Sequence, residues 1–211
     1  MNILEKTTAV HLLRIKAVKL QPEKPFTWAS GWLSPIYCDN RKTLSFPDAR
    51  TFIKNELTHL VRTKYPDVQV IAGVATGAIA QGALVADALG LPYVYVRSAP
   101  KDHGLENLVE GDLHAKQKVV VIEDLISTGG SSLKAVEALR NIGAEVLGML
   151  AIFTYGFQQA TEKFAEKNVE LTTLCNYNAI IAEALAQNYI SENQIELLKK
   201  WRETPETWLA S

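Results

Sequence analysis

Short apolar runs alternate along this chain with segments whose apolar residues recur at helical spacing. The runs Val68–Ala72, Leu91–Val96, Val119–Ile122, Glu145–Phe153 and Val169–Cys175 read as strands. Val119–Ile122 contains no polar residue at all, as expected of a parallel strand covered on both faces. Between them, Ser45–Tyr65 places Phe52, Ile53, Leu57, Leu60 and Val61 on one helical face, with Ser45 and Asp48 in capping-box-like spacing. Helices are also predicted from Gly77 to Leu89, from Leu133 to about Asn141, and over Gly156–Lys167, Asn176–Gln187 and Ser191–Arg202, the last opening on a Ser191/Gln194 capping box. Such alternation predicts an α/β fold with a mainly parallel sheet and right-handed crossovers. Ligands of such sheets sit beyond the carboxyl ends of the strands, where the turns at Gly73, Arg97 and Glu123 would meet.

Two stretches depart from the pattern. Gln21–Asn40, with its prolines, Gly31 and clustered aromatics, reads as short strands around tight turns, preceded by a loosely helical Asn2–Val18. Ser98–Asp112 is a polar loop without apolar periodicity, long enough to be functional. No repeat or linker interrupts the chain, so residues 1–211 are expected to form one domain: a core over about 45–211 and a hood over about 20–42 beside the N-terminal helix.

Charge and composition narrow the chemistry. A net charge of −1 gives no basis for general nucleic-acid or membrane-surface binding, so any anion site must be local. Charged residues interrupt Met1–Leu20, which excludes a signal peptide, and no window has the length of a membrane helix. Cys38 and Cys175 are isolated, which disfavours a disulfide scaffold or a structural zinc site, and a cytoplasmic setting is expected.

The candidate site centres on Val119–Ser132, VVVIEDLISTGGSS. Ser127, Thr128, Gly129, Gly130 and Ser131 are small and conformationally permissive, so successive backbone N–H groups can converge on one anion with a helix behind them. Glu123 and Asp124 would repel that anion unless they faced another part of the ligand, and a ribose diol offers them two donors. The alternative is a strand end with two solvated acids and an ordinary N-cap. Arg97, Lys101 and His103 gather two cations and an imidazole in the polar loop, a set suited to a pyrophosphate leaving group. Alone, that loop would read as a solvated charged segment. The turn at Gly73–Gly77 matches neither GxGxxG nor GxxxxGK[ST].

VVVIEDLISTGGSS resembles the signature by which type I phosphoribosyltransferases bind 5-phosphoribosyl 1-pyrophosphate (PRPP). Together with FTWASGWLSPIYCDNR, GVATGAIAQGALVADALGLP and YVRSAPKDHGLENLVEG, in this order, it resembles the orotate phosphoribosyltransferase family over nearly the whole chain. The resemblance implies the type I phosphoribosyltransferase fold, with a small N-terminal hood over the pyrimidine. The implied reaction is transfer of ribose 5-phosphate from PRPP to orotate, giving orotidine 5′-monophosphate and pyrophosphate in pyrimidine synthesis. By position it implies Arg97, Lys101 and His103 on the pyrophosphate and Glu123 and Asp124 on the ribose hydroxyls. Leu125 joins the same PRPP-binding stretch, Ile126–Ser131 would enclose the 5-phosphate, Ser127 would also lie against orotate, and the Gly73–Gly77 turn would support the pyrophosphate. It further implies Mg²⁺ held mainly by substrate oxygens, without a protein metal cage, and a homodimer sharing loop 98–112 across its interface.

Three places depart from many members of that family: Ala29 and Ser98 stand where they have lysine, and Phe153–Gly156 lacks an arginine, so the sequence does not identify the partner of the orotate carboxylate. Arg41 or Lys42 is a candidate replacement cation. Trp28, Trp32 and Tyr37 are placed either to stack on a pyrimidine or to pack on the protein body, and Trp201 and Trp208 read as packing or interface anchors. The rival readings are a purine or uracil phosphoribosyltransferase and a PRPP-sensing regulator without catalysis.

Overall fold

The computed structural model describes residues 1–28, 30–99 and 108–208. The strand-helix alternation closes into a six-stranded sheet. Its strands are β5 (Val70–Val74), β6 (Tyr93–Val96), β7 (Val109–Glu110), β8 (Lys118–Ile126), β9 (Glu145–Thr154) and β10 (Leu171–Asn176), in the order β10-β9-β8-β5-β6-β7. All neighbours are parallel except the edge strand β7, which returns antiparallel on β6. Loop 98–112 thus ends in a short strand, which its polar sequence did not announce.

The chain steps from β5 to β6 on one side, then crosses back to place β8 on the other side of β5. The carboxyl ends of β5 and β8 therefore flank the point where winding reverses, the usual ligand crevice of an open parallel sheet. Helices cover both faces. One core packs α1 (Ile3–Arg14), α2 (Pro47–Lys64), α3 (Ile79–Leu89), α6 (Tyr177–Ala186) and α7 (Glu192–Glu203) against the sheet. The other packs α4 (Gly130–Asn141) and α5 (Gln158–Glu166).

The expected Ser45 cap is not formed. Asn40–Ser45 is a 3₁₀ helix, Phe46 is the N-cap of α2 without a side-chain bond, and Pro47 opens the helix where its missing N–H costs nothing. The hood comprises β1 (Val18–Leu20) paired with β4 (Ile36–Cys38), and β2 (Phe26–Thr27) paired with β3 (Leu33–Ser34). Aromatics pin it to the core. Trp28 stands 5.0 Å from the Tyr155 ring and 5.6 Å from Trp201, and its Nε1 donates to the Ile36 carbonyl at 3.1 Å. Trp201, fully buried, donates from Nε1 to the Leu33 carbonyl at 3.1 Å. Packing is therefore what Trp28, Trp32 and Trp201 do, whereas Tyr37 stays 39% exposed with its ring tilted against Phe26 at 5.6 Å.

Candidate active site

β8 does not end at Ile122. It runs on through Glu123 and Asp124 to Ile126, and β5 likewise runs through Gly73 to Val74. The polar extension is stable because its acids are satisfied differently. Glu123 is buried and spends both carboxylate oxygens within the protein: Ser132 Oγ donates to one at 2.8 Å and the Asp124 N–H to the other at 2.9 Å. Asp124 is half-buried, with its carboxylate laid against Gly77, so that a Cβ built on Gly77 would lie 2.2 Å from Oδ2. Asn40, itself buried, donates from Nδ2 to the Asp124 carbonyl at 2.5 Å.

Burial raises the Glu123 pKa, and the neighbouring Asp124 charge adds to the rise; burial raises Asp124 too, against the pull of Arg41. A carboxyl raised in the folded state holds its proton more tightly there than in the unfolded chain. Stability therefore falls as pH climbs from the ordinary carboxylate value toward the raised one. Glu123→Gln is expected to melt higher than the parent at about pH 8 and nearly with it at about pH 4. Thermal melts at both values check this, and an equal gain at each would contradict it.

Beyond Ile126 the chain turns through Ser127 and Thr128, both half-buried, to Gly129, the N-cap of α4. Gly129 has φ +78° and a Cβ there would meet Phe164 Cε2 at 2.9 Å, so conformation and space both require glycine. No side chain caps α4, which leaves the N–H groups of its first turn directed at the crevice with the positive end of the helix dipole. Leu125 and Ile126, by contrast, are strand residues paired with Phe153 and Thr154, and Ile126 is fully buried. Ser131 is exposed at the helix start.

Arg97 follows β6, half-buried, its backbone N–H bonded to the Leu108 carbonyl at 2.8 Å. Its Nη1 is buried, 3.6 Å from Glu110 Oε1, and has no hydrogen-bond partner among the described residues. A cavity of about 430 Å³ runs from the ends of β5 and β6 along the length of α4, lined by Ala75, Arg97, Ser98, Ser131, Lys134 and Glu137 among others. Arg97, despite its ion pair with Glu110, and Lys134 give this space two cations beside the start of α4. Lys101 and His103 lie outside the described residues. The Ala75–Thr76 peptide in the turn after β5 is cis.

Comparison with known proteins shows the family. A family model for the phosphoribosyl transferase domain matches residues 48–188. The chain is 64% identical over 208 residues to an orotate phosphoribosyltransferase of Porphyromonas gingivalis, covering 99% of each. It is 53% identical to one of Lactococcus lactis, covering 98% of this chain and 99% of the other. The chain belongs to the orotate phosphoribosyltransferase family. A solved orotate phosphoribosyltransferase from Aeropyrum pernix, 28% identical, superposes with a TM-score of 0.75 over 87% of this chain and 99% of its own.

The two candidate replacement cations, Arg41 and Lys42, point in different directions. Lys42 turns away, donating to the Lys16 carbonyl at 3.1 Å. Arg41 pairs with Asp39 at 2.7 Å, is 59% exposed, and opposes, without overcoming, the rise that burial imposes on the Asp124 pKa. Ala29 lies outside the described residues. Tyr155, just beyond the end of β9, is buried in the aromatic cluster and supplies no cation. Sequence reasoning missed Lys134 and also Lys163, whose Nζ reaches the Thr128 carbonyl at 3.5 Å. Neither carries a local signal in the sequence: each is a single charged residue on a helix, α4 or α5.

Proposed function

We propose that the crevice between β5 and β8 binds PRPP and passes its ribose 5-phosphate to orotate. In this reading residues 1–211 form a single phosphoribosyltransferase domain that works as a cytoplasmic homodimer with loop 98–112 shared between subunits. The observation that carries the reading is the juxtaposition of the uncapped α4 start with a half-buried acid packed on the Gly77 turn. A phosphate fits the first and a ribose diol the second.

The N–H groups from Ser127 to Ser131 take the 5-phosphate, and Asp124 accepts from the ribose hydroxyls. Glu123, expected from the sequence to share the diol, is instead buried behind it with both oxygens spent, and fixes the strand-to-turn junction through Ser132 and the Asp124 N–H. Arg97, Lys101 and His103 face the diphosphate, with the Gly73–Gly77 turn beneath it. Ser127 and the hood, with Tyr37 exposed upon it, receive orotate. The orotate nitrogen attacks the anomeric carbon as the C–O bond to pyrophosphate breaks, with cationic character on the sugar. The protein contributes alignment and stabilisation of the departing charge, and needs no covalent nucleophile.

Among the described residues no three His, Cys, Asp or Glu side chains converge as a metal cage. The acids present suit Mg²⁺ carried by substrate oxygens and water, with Asp124 alongside. That ion would supply charge neutralisation at the diphosphate. No helix of the described residues is long and apolar enough to cross a membrane.

The test is loss of orotate absorbance dependent on both PRPP and Mg²⁺, with adenine, guanine, hypoxanthine and uracil run in parallel. Turnover with one of those bases instead would favour a purine or uracil enzyme, and PRPP binding without pyrophosphate release would favour a regulator. Within this reading, Lys101→Ala is expected to depress turnover by about 100-fold or more while weakening orotate binding little. Steady-state kinetics with orotate titration checks it, and parent-like turnover would refute the loop assignment.

A further inference from the structure

The β5–β8 ladder stops at the Gly73–Ile122 pair, so Asp124 lies past its last rung. Asn40 takes over there. It is 2% exposed and donates from Nδ2 to the Asp124 carbonyl at 2.5 Å, while its Oδ1 accepts from Cys38 Sγ at 3.3 Å. Its own carbonyl accepts from Thr43 Oγ1 at 2.6 Å, and Thr43 Oγ1 in turn accepts from Gln81 Nε2 of α3 at 3.3 Å. Through its side-chain amide and its main-chain carbonyl, Asn40 thus joins the last hood strand, the 3₁₀ helix, α3 and the residue that carries the half-buried acid of the site.

A buried primary amide is costly unless its donors and acceptor are used, and this one is spent on a main-chain atom of the site. We infer that Asn40 is a positioning residue: it fixes the Asp124 peptide, and with it the carboxylate against Gly77, relative to the hood. Recognition of the base and recognition of the ribose then share one hydrogen bond. The inference rests on the proposed function, and it adds a residue that touches neither substrate. A sub-ångström shift of the diol acid is enough to misalign the anomeric carbon, because near-attack geometry tolerates little displacement.

The experiment compares the parent with Asn40→Ala and with Asn40→Asp, which keeps the shape but replaces the donor by an acceptor facing a carbonyl. Melting temperature and the kinetic constants for both substrates are measured well below the melting point. Both variants are expected to lose about 10- to 100-fold in kcat/KM for PRPP while folded. Folded variants with lowered melting temperature but constants within about twofold of the parent would make Asn40 purely structural and overturn the inference. If neither variant folds, Thr43→Val decides: loss of the hydroxyl behind Asn40 is expected to lower kcat/KM for PRPP by about two- to ten-fold, and unchanged constants would overturn it. A parent inactive with orotate would sink the proposed function and this inference with it, whereas an active parent with parent-like variants sinks the inference alone.

Discussion

Gly77→Ala should leave a folded protein that has lost about 100-fold or more of its kcat/KM for PRPP. The new methyl carbon would lie 2.2 to 2.5 Å from the three carboxylate atoms of Asp124. Those atoms end a side chain, so the clash is relieved by swinging the carboxylate away rather than by moving a strand. The cost accordingly falls on the ribose diol and spares the fold. A double variant separates this from general damage: Gly77→Ala added to Asp124→Ala should cost little beyond Asp124→Ala alone, since the group it displaces is already gone. Additive losses in kcat/KM would show that Gly77 matters for some other reason.

Gly129→Ala should damage both stability and phosphate binding. An L-residue at φ +78° costs about 1–2 kcal/mol, and the Cβ would also press on Phe164, which is 3% exposed and walled in by the α4–α5 core. Relief requires rotating the turn, which turns its amides off the phosphate. The expected result is a loss of about 2–4 kcal/mol by denaturant titration and a rise in the PRPP KM of about tenfold or more. Gly130→Ala is the control: nothing lies within 4 Å of a Cβ there, and its φ is not left-handed, so stability should be unchanged or slightly higher. Equal losses at the two glycines would contradict the assignment of backbone strain to Gly129.

The order of strands and helices was legible because apolar runs and helical spacing are written directly into the chain. Where elements end was less so. β8 carries its ladder through two acids only because Ser132 and the Asp124 N–H satisfy Glu123, a compensation that comes from α4 and the strand's own fold. β5 runs through Gly73 because the Tyr93 hydroxyl occupies the space of the missing side chain, where a Cβ would stand 2.4 Å away. Ser45 has the spacing of a cap, but Pro47 and the preceding 3₁₀ helix move the start of α2 past it.

The site was legible where function is concentrated in one segment. The turn Ser127–Ser131 and the acids stand together in sequence as they do in space. Arg41 and Lys42 were indistinguishable in the sequence; the tight turn of the 3₁₀ helix sends one toward Asp124 and the other back to Lys16. Lys134, Lys163 and Asn40 reach the site from a helix face or a hood edge, and no local spacing marks such residues.

The resting place of the sugar's terminal phosphoryl group decides whether the Ser127–Ser131 turn is the PRPP site. A crystal structure of the protein with PRPP and Mg²⁺ should place that group about 3 Å from the backbone nitrogens between Ser127 and Ser131, with the 2′ and 3′ hydroxyls on Asp124. Density for the phosphate bound elsewhere, with those amides facing only solvent, would contradict it.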